Sequence, residues 1–165
     1  MTSNTIKFVW ENKIHSISNL DPNETILNYV RLKLKKTGTK EGCAEGGCGA
    51  CTVVLGELKN NKIFYQAINS CIGFVTSLEG KQLILVEDLV SKNGTLHAVQ
   101  DAMINYHGSQ CGFCTPGMVM SAVDLLKKNK NPTEKELRDW VEGNICRCTG
   151  YQGIVAAVKD AASKM

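Results

Sequence analysis

Long apolar runs are missing from this 165-residue chain. No stretch approaches the roughly 18 residues of a membrane span, so no spanning helix is expected. A dominant charge is missing too: 19 basic residues face 16 acidic ones, a formal +3 that is scattered along the chain. Such a balance argues against a nucleic-acid partner. There is no low-complexity tract and no internal repeat. With 43% apolar and 21% charged residues, the composition is that of a globular protein and excludes a disordered tail. The segment Met1–Lys13 carries charges and lacks an apolar core followed by a cleavage site, so it does not read as a secretory signal. The length suits one ordinary domain or two small ones.

What is abundant is cysteine. The eight thiols stand at positions 43, 48, 51, 71, 111, 114, 146 and 148. In a chain read as lacking an export signal, a cytoplasmic location is expected, and there cysteine clusters point to metal or redox chemistry before disulfides. They divide into two sets of four, with 39 cysteine-free residues between Cys71 and Cys111.

The pattern around the two sets differs. Thr5–Trp10 and Lys13–Ser18 read as strands of a hairpin turning at Glu11-Asn12. Asp21-Pro22-Asn23 opens a helical pattern with Ile26, Leu27, Val30 and Leu34 on one face, ending near Thr37-Gly38. Thr52–Leu55, Lys62–Tyr65 and Gln82–Val86 read as further strands, the first two joined at Asn60-Asn61. After about residue 88 the period becomes helical. Leu96, Val99, Ala102 and Met103 share a face, and Thr115-Pro116 reads as an N-cap followed by proline, leading into Met118, Met120, Val123 and Leu126. Thr133 and Glu136 have capping-box spacing, with that helix stopping near Gly143. Tyr151–Ser163 is a last amphipathic helix with Ile154, Val155 and Val158 inward. A turn at Ser91–Gly94 marks the join, so two domains are expected, 1–88 and 89–165, each with one cysteine set.

Cys43, Cys48 and Cys51 form C-x4-C-x2-C, with Cys71 beyond 19 intervening residues. This is the spacing of plant-type ferredoxins, whose four thiolates hold a 2Fe–2S cluster. The residues between are nearly all small, and glycines allow a tight wrap that turns backbone N–H groups toward sulfur. Zinc is the alternative for four thiolates, but three ligands on one glycine-rich loop suit it less well. Gly46-Gly47-Cys48-Gly49 lacks the lysine of a phosphate loop. Cys111 and Cys114 form C-x2-C, and Cys146 and Cys148 form C-x-C, 31 residues further on. By spacing alone this second set could take zinc or an iron–sulfur cluster. Cys114 precedes the expected cap of a helix whose N–H groups and positive end would face the thiolates. The histidines His15, His97 and His107 stand at no ligand spacing from the cysteines. Arg31, Lys33, Lys35 and Lys36 read as charge complementing a helix end, or as a docking face for a partner. Met103, Met118 and Met120 read as packing.

Gly42-Cys43-Ala44-Glu45-Gly46-Gly47-Cys48-Gly49-Ala50-Cys51-Thr52-Val53 resembles the first-cluster signature of the iron–sulfur subunit or domain of the molybdenum hydroxylases, the xanthine dehydrogenase and aldehyde oxidoreductase family. His107-Gly108-Ser109-Gln110-Cys111-Gly112-Phe113-Cys114-Thr115-Pro116-Gly117 and Gly143-Asn144-Ile145-Cys146-Arg147-Cys148-Thr149-Gly150-Tyr151 resemble the second. The resemblance implies an α+β chain: a β-grasp plant-type ferredoxin domain, then an all-α four-helix-bundle domain, each with a 2Fe–2S cluster. All eight cysteines are then ligands, and Gln110 and Cys148 approach the pterin of a large molybdopterin-binding subunit. Electrons would pass singly through the bundle cluster and the ferredoxin cluster to FAD on a further subunit or domain, in assemblies such as a dimer of heterotrimers. Thr39–Glu45 and His107–Gln110 look most like the xanthine dehydrogenase branch; an aldehyde, N-heterocycle or acyl-CoA oxidoreductase is the alternative, and from a different class a structural zinc module. Some members continue from the bundle into an FAD domain, so the chain is expected to be either a stand-alone subunit or the first part of a longer protein.

Overall fold

Two-residue turns in the left-handed region close both hairpins of the first half. The computed structural model describes residues 5–165, and the first four residues of the Met1–Lys13 reading lie outside it. Strand β1 (Thr5–Trp10) pairs antiparallel with β2 (Lys13–Ser18) through Glu11 and Asn12, at φ 48° and 60°. Strand β3 (Thr52–Lys59) pairs with β4 (Lys62–Asn69) through Asn60 and Asn61, at φ 50° and 58°. Asparagine tolerates this conformation better than most side chains, which is why these sequences turn here. Strand β5 (Gln82–Ile84) inserts between the hairpins, parallel to β1 and antiparallel to β3, giving the order β2-β1-β5-β3-β4. The result is a mixed five-stranded sheet.

The early helix is shorter than its apolar period suggests. Asp21 accepts from the Asn23 N–H at 2.9 Å and so forms a turn of its own, and Thr25 is the cap that starts α1 (Ile26–Asn28). The coil widens to a π turn over Tyr29–Lys33 and ends at Leu34, before Lys35 at φ 57°. Thr37-Gly38 thus lies in a loop, which Arg31 ties down by donating to the carbonyls of Thr37 and Thr39. Strands β3 and β4 each run four residues past the expected Thr52–Leu55 and Lys62–Tyr65, because the ladder continues from Thr52 opposite Asn69 to Lys59 opposite Lys62, pairing each expected strand with the extension of the other. Strand β5 stops before Val86 because the Asp88 carboxylate accepts from the Leu85 N–H at 2.7 Å and turns the chain into a 3-10 coil over Val86–Leu89.

Four helices follow: α2 (Ala98–Asn105), α3 (Thr115–Lys128), α4 (Glu134–Val141) and α5 (Gln152–Ala162). None is long and apolar enough to cross a membrane among the described residues. The Thr133 capping box forms as expected, with Thr133 accepting from the Glu136 N–H and Glu136 accepting from the Thr133 N–H. Two expected details differ. Leu96 precedes the helix and is exposed, and His97 caps α2 by accepting from the Val99 N–H at Nδ1. Thr115 is the first helical residue and not the cap; its hydroxyl donates to Ser109 Oγ at 2.8 Å, and Cys114 takes the cap position. His15 stacks against Phe8 and Trp10, a packing role.

One core lies between the sheet and the early helix, around Phe8, Val30, Val53 and Leu83. A second lies among the helices, around Met118, Leu126, Leu137 and Val158. Helix α3 joins them. It packs against α2, α4 and α5 and also against β3 and β4, so Met118 and Met120 are both buried although they lie on different faces. Lys127 on α3 sits 4.1 Å from the centre of the Tyr65 ring on β4. This explains why the start of β3, Thr52 to Gly56, is buried on both faces. Leu126 is fully buried, so Leu126→Ala should lower the unfolding free energy by about 2–5 kcal/mol in a urea titration of the holoprotein.

Candidate metal centres

The first cysteine set is built on a loop that bends back on itself. Between Lys35 and β3 there is no regular element, and Ala44, Gly46 and Gly49 take φ values of 58°, 80° and 72°. At Gly46 a side chain would also strike Ile72, its Cβ falling 2.6 Å from Cδ1. The wrap turns N–H groups toward sulfur: that of Cys48 donates to Cys43 Sγ at 3.4 Å. The Cys43 thiol is lowered to about 7, chiefly by the backbone N–H of Glu45 and then by that of Cys48, with Gly47 adding to it. Cys51 and Cys71 are buried beside Leu27. Burial, and then the neighbouring Cys51 thiol, pushes Cys71 up to about 11. Cys71 reaches this place from the turn after β4, held where the Ser70 hydroxyl donates to the Cys51 carbonyl at 2.7 Å and Asn69 donates to the Gly46 carbonyl at 2.5 Å.

The second set sits where two interhelical loops meet. Cys111 and Cys114 lie on the loop into α3, and Cys146 and Cys148 on the loop between α4 and α5. Cys148 Sγ is 3.6 Å from Cys111 Sγ, and both are exposed, as is Gln110. Inside them, burial and then the Cys146 thiol push Cys114 up to about 12. The amino end of α3 does not offset this, because burial outweighs the nearby backbone N–H. For Cys146, burial acts upward but is outweighed by the Thr149 hydroxyl and the N–H groups of Thr149 and Cys148, so its thiol is lowered.

All eight cysteines are free thiols. They fall into pairs: Cys43 with Cys48, Cys51 with Cys71, Cys111 with Cys148 and Cys114 with Cys146. Among the described residues no three His, Cys, Asp or Glu side chains converge as the ligands of one ion. Two pairs per loop cluster fit a dinuclear iron–sulfur group, in which four cysteines serve two irons.

The two loop clusters touch. The Ile145 N–H donates to the Cys48 carbonyl at 2.9 Å, and the Asn144 side chain donates to the Gly49 carbonyl at 2.9 Å. Gly117, in the first turn of α3, lies against the same loop, where a Cβ would overlap the Gly49 oxygen and come within 3.0 Å of Ala50 Cα. Both regions match known iron–sulfur domains. Residues 12–76 match the 2Fe-2S iron-sulfur cluster binding domain and residues 85–159 the [2Fe-2S] binding domain. The chain superimposes on a chain of quinoline 2-oxidoreductase from Pseudomonas putida 86 with a TM-score of 0.85 and 34% identity, covering 97% of this chain and 93% of that one. This chain belongs to the iron–sulfur subunits and domains of the molybdenum hydroxylases. It is 44% identical over 98% of its length to xanthine dehydrogenase/oxidase from Felis catus, and 46% identical over 85% to aldehyde oxidase 1 from Oryctolagus cuniculus. It spans 12% and 11% of those relatives' own lengths.

Reading the sequence alone quoted Asn144, Ile145 and Gly117 inside motifs but gave them no role. Gly117 carried a signal: glycine inside a helix costs roughly 0.5–1 kcal/mol against alanine, so its presence in the first turn of α3 marks a close approach. Three of the four basic residues near α1 are locally engaged. Lys33 pairs with Glu24 and Lys36 with Glu11, while Arg31 holds the loop. Because the Gly49 and Ala50 backbone cannot yield as a side chain can, Gly117→Ala should cost about 1–3 kcal/mol in chemical denaturation of the holoprotein. An unchanged unfolding midpoint would mean that α3 and the cysteine loop are not pressed together.

Proposed function

We propose that this chain is the electron-transfer part of a molybdenum hydroxylase, most like xanthine dehydrogenase. In this reading Cys43, Cys48, Cys51 and Cys71 hold one 2Fe–2S cluster, and Cys111, Cys114, Cys146 and Cys148 hold the other. The observation that carries it is the meeting of two four-thiol clusters through the Ile145–Cys48 and Asn144–Gly49 hydrogen bonds. When bound, each cluster takes up and releases one electron. The chain's own residues supply the rest. The N–H groups of Glu45, Gly47 and Cys48 stabilise negative charge at Cys43. A bonded route between the sets runs from Cys146 to Ile145 and across its N–H to the carbonyl of Cys48.

The mixed sheet around its early helix supports a β-grasp ferredoxin-like domain over 1–88. The four helices α2 to α5 support a four-helix-bundle domain over 89–165. The turn in which Gly94 N–H donates to Ser91 O is the join. Gln110 and Cys148 are proposed to approach the pterin of a large molybdopterin-binding subunit. Their exposure supports this, as do the exposed apolar side chains of Ile104, Tyr106 and Phe113 nearby in sequence. Electrons would then leave through the first set toward FAD on another subunit or domain, and a cytoplasmic location is proposed from the metal-ligand spacing of the cysteines. The same role in an aldehyde oxidase is the second reading, favoured by the 46% identity to aldehyde oxidase 1.

Protein purified anaerobically should contain about four irons per chain, with two distinct 2Fe–2S signals in electron paramagnetic resonance after dithionite reduction. Cys43→Ser and Cys111→Ser should each remove one signal and leave the other. Zinc in place of iron, in colourless and properly matured protein, would overturn the reading.

A further inference from the structure

Residues 146 to 151 close a small ring of hydrogen bonds. The Cys146 N–H donates to the Tyr151 phenol oxygen at 2.7 Å, and the Tyr151 N–H donates to Thr149 Oγ1 at 3.2 Å. The third side is the 3.2 Å contact between Thr149 Oγ1 and Cys146 Sγ. Tyr151 is held at φ 67°, in the left-handed region, and packs against the helical core. Backbone of this kind persists in a non-glycine residue only where the surroundings fix it.

In the free thiol either atom of the Thr149–Cys146 contact could carry the hydrogen. Ligation removes that freedom, because a cysteine bound to a metal is a thiolate and can only accept. The Tyr151 N–H can only donate, so it occupies a lone pair of Thr149 Oγ1 and leaves the hydroxyl hydrogen for sulfur. Resting on the two-cluster reading above, we propose that Thr149 is a positioning residue that raises the reduction potential of the second cluster by donating its hydroxyl hydrogen to Cys146 Sγ. The sign follows from charge. Reduction adds an electron to the cluster, and a donor aimed at sulfur stabilises the more negative state more strongly. The Cys146 N–H cannot substitute, being committed to the phenol. The N–H groups of Thr149 and Cys148 that also face the sulfur belong to the backbone, so a side-chain change leaves them in place.

The test is potentiometry of the intact protein followed by electron paramagnetic resonance, with the two signals assigned through the Cys43→Ser and Cys111→Ser variants. Thr149→Val should shift the midpoint of the second cluster to more negative potential and leave the first unmoved; Thr149→Ser should restore it. A valine variant with both clusters loaded and both midpoints at wild-type values overturns the proposal while leaving the two-cluster reading intact. Wild-type protein without iron would instead overturn that reading. Should valine fail to retain the second cluster, Thr149→Ala is compared with Thr149→Ser: a lower midpoint in alanine supports the assignment and equal midpoints overturn it. Loss of the second signal from both apolar variants with wild-type behaviour in serine supports it, and loss from serine as well overturns it.

Discussion

Three donors converge on the carbonyl oxygen of Gly49. The Thr52 hydroxyl and N–H approach from the start of β3, at 2.7 and 3.2 Å, and the Asn144 amide approaches at 2.9 Å from the loop after α4. A buried acceptor left without partners costs roughly 1–3 kcal/mol, so this oxygen ties the first cysteine loop to the sheet and to the helices at once. The residue must be glycine for two reasons: φ is 72°, and a Cβ would strike the Asn144 amide and come within 2.6 Å of the Gly143 carbonyl. Gly117 closes the junction from the third side. The positions of Cys48, Cys114 and Cys146 are therefore set relative to one another through one small patch of backbone.

Local chemistry made much of the fold legible in the sequence. Asparagine pairs marked the hairpin, glutamate–asparagine the other turn, and Thr133 with Glu136 a helix start, because each of these features is satisfied within a few residues. The cysteine spacing likewise separated two sets, whose thiols the structure brings together in pairs, two pairs on each side of the junction. Legibility ended where distant groups compete for a residue. Thr115 has the type and place of a cap, yet Cys114 holds that position and Thr115 bonds Ser109. Asp21 and Asn23 look like a helix start, yet they turn on themselves and leave the cap to Thr25. Nothing in a period of 3.6 or 2 tells that Asn144 will reach a carbonyl 95 residues away, and this contact is what brings the two sets together.

Each set has an inner and an outer pair, and the difference is physical. Cys51, Cys71, Cys114 and Cys146 lie buried or half-buried, and burial pushes Cys71 and Cys114 far above the usual thiol range. A lone thiolate in such a place is costly, so Cys71 and Cys114 become charged most readily against a cationic centre, which couples metal binding to the stability of the fold. Cys43 differs: backbone N–H groups already favour its thiolate. In the second set the outer pair, Cys111 and Cys148, is exposed beside Gln110, while the inner Cys146 adjoins the residue that bonds Cys48. One face of this set is therefore exposed, and the other meets the first set through the Ile145–Cys48 hydrogen bond beside α3, the helix buried on both sides.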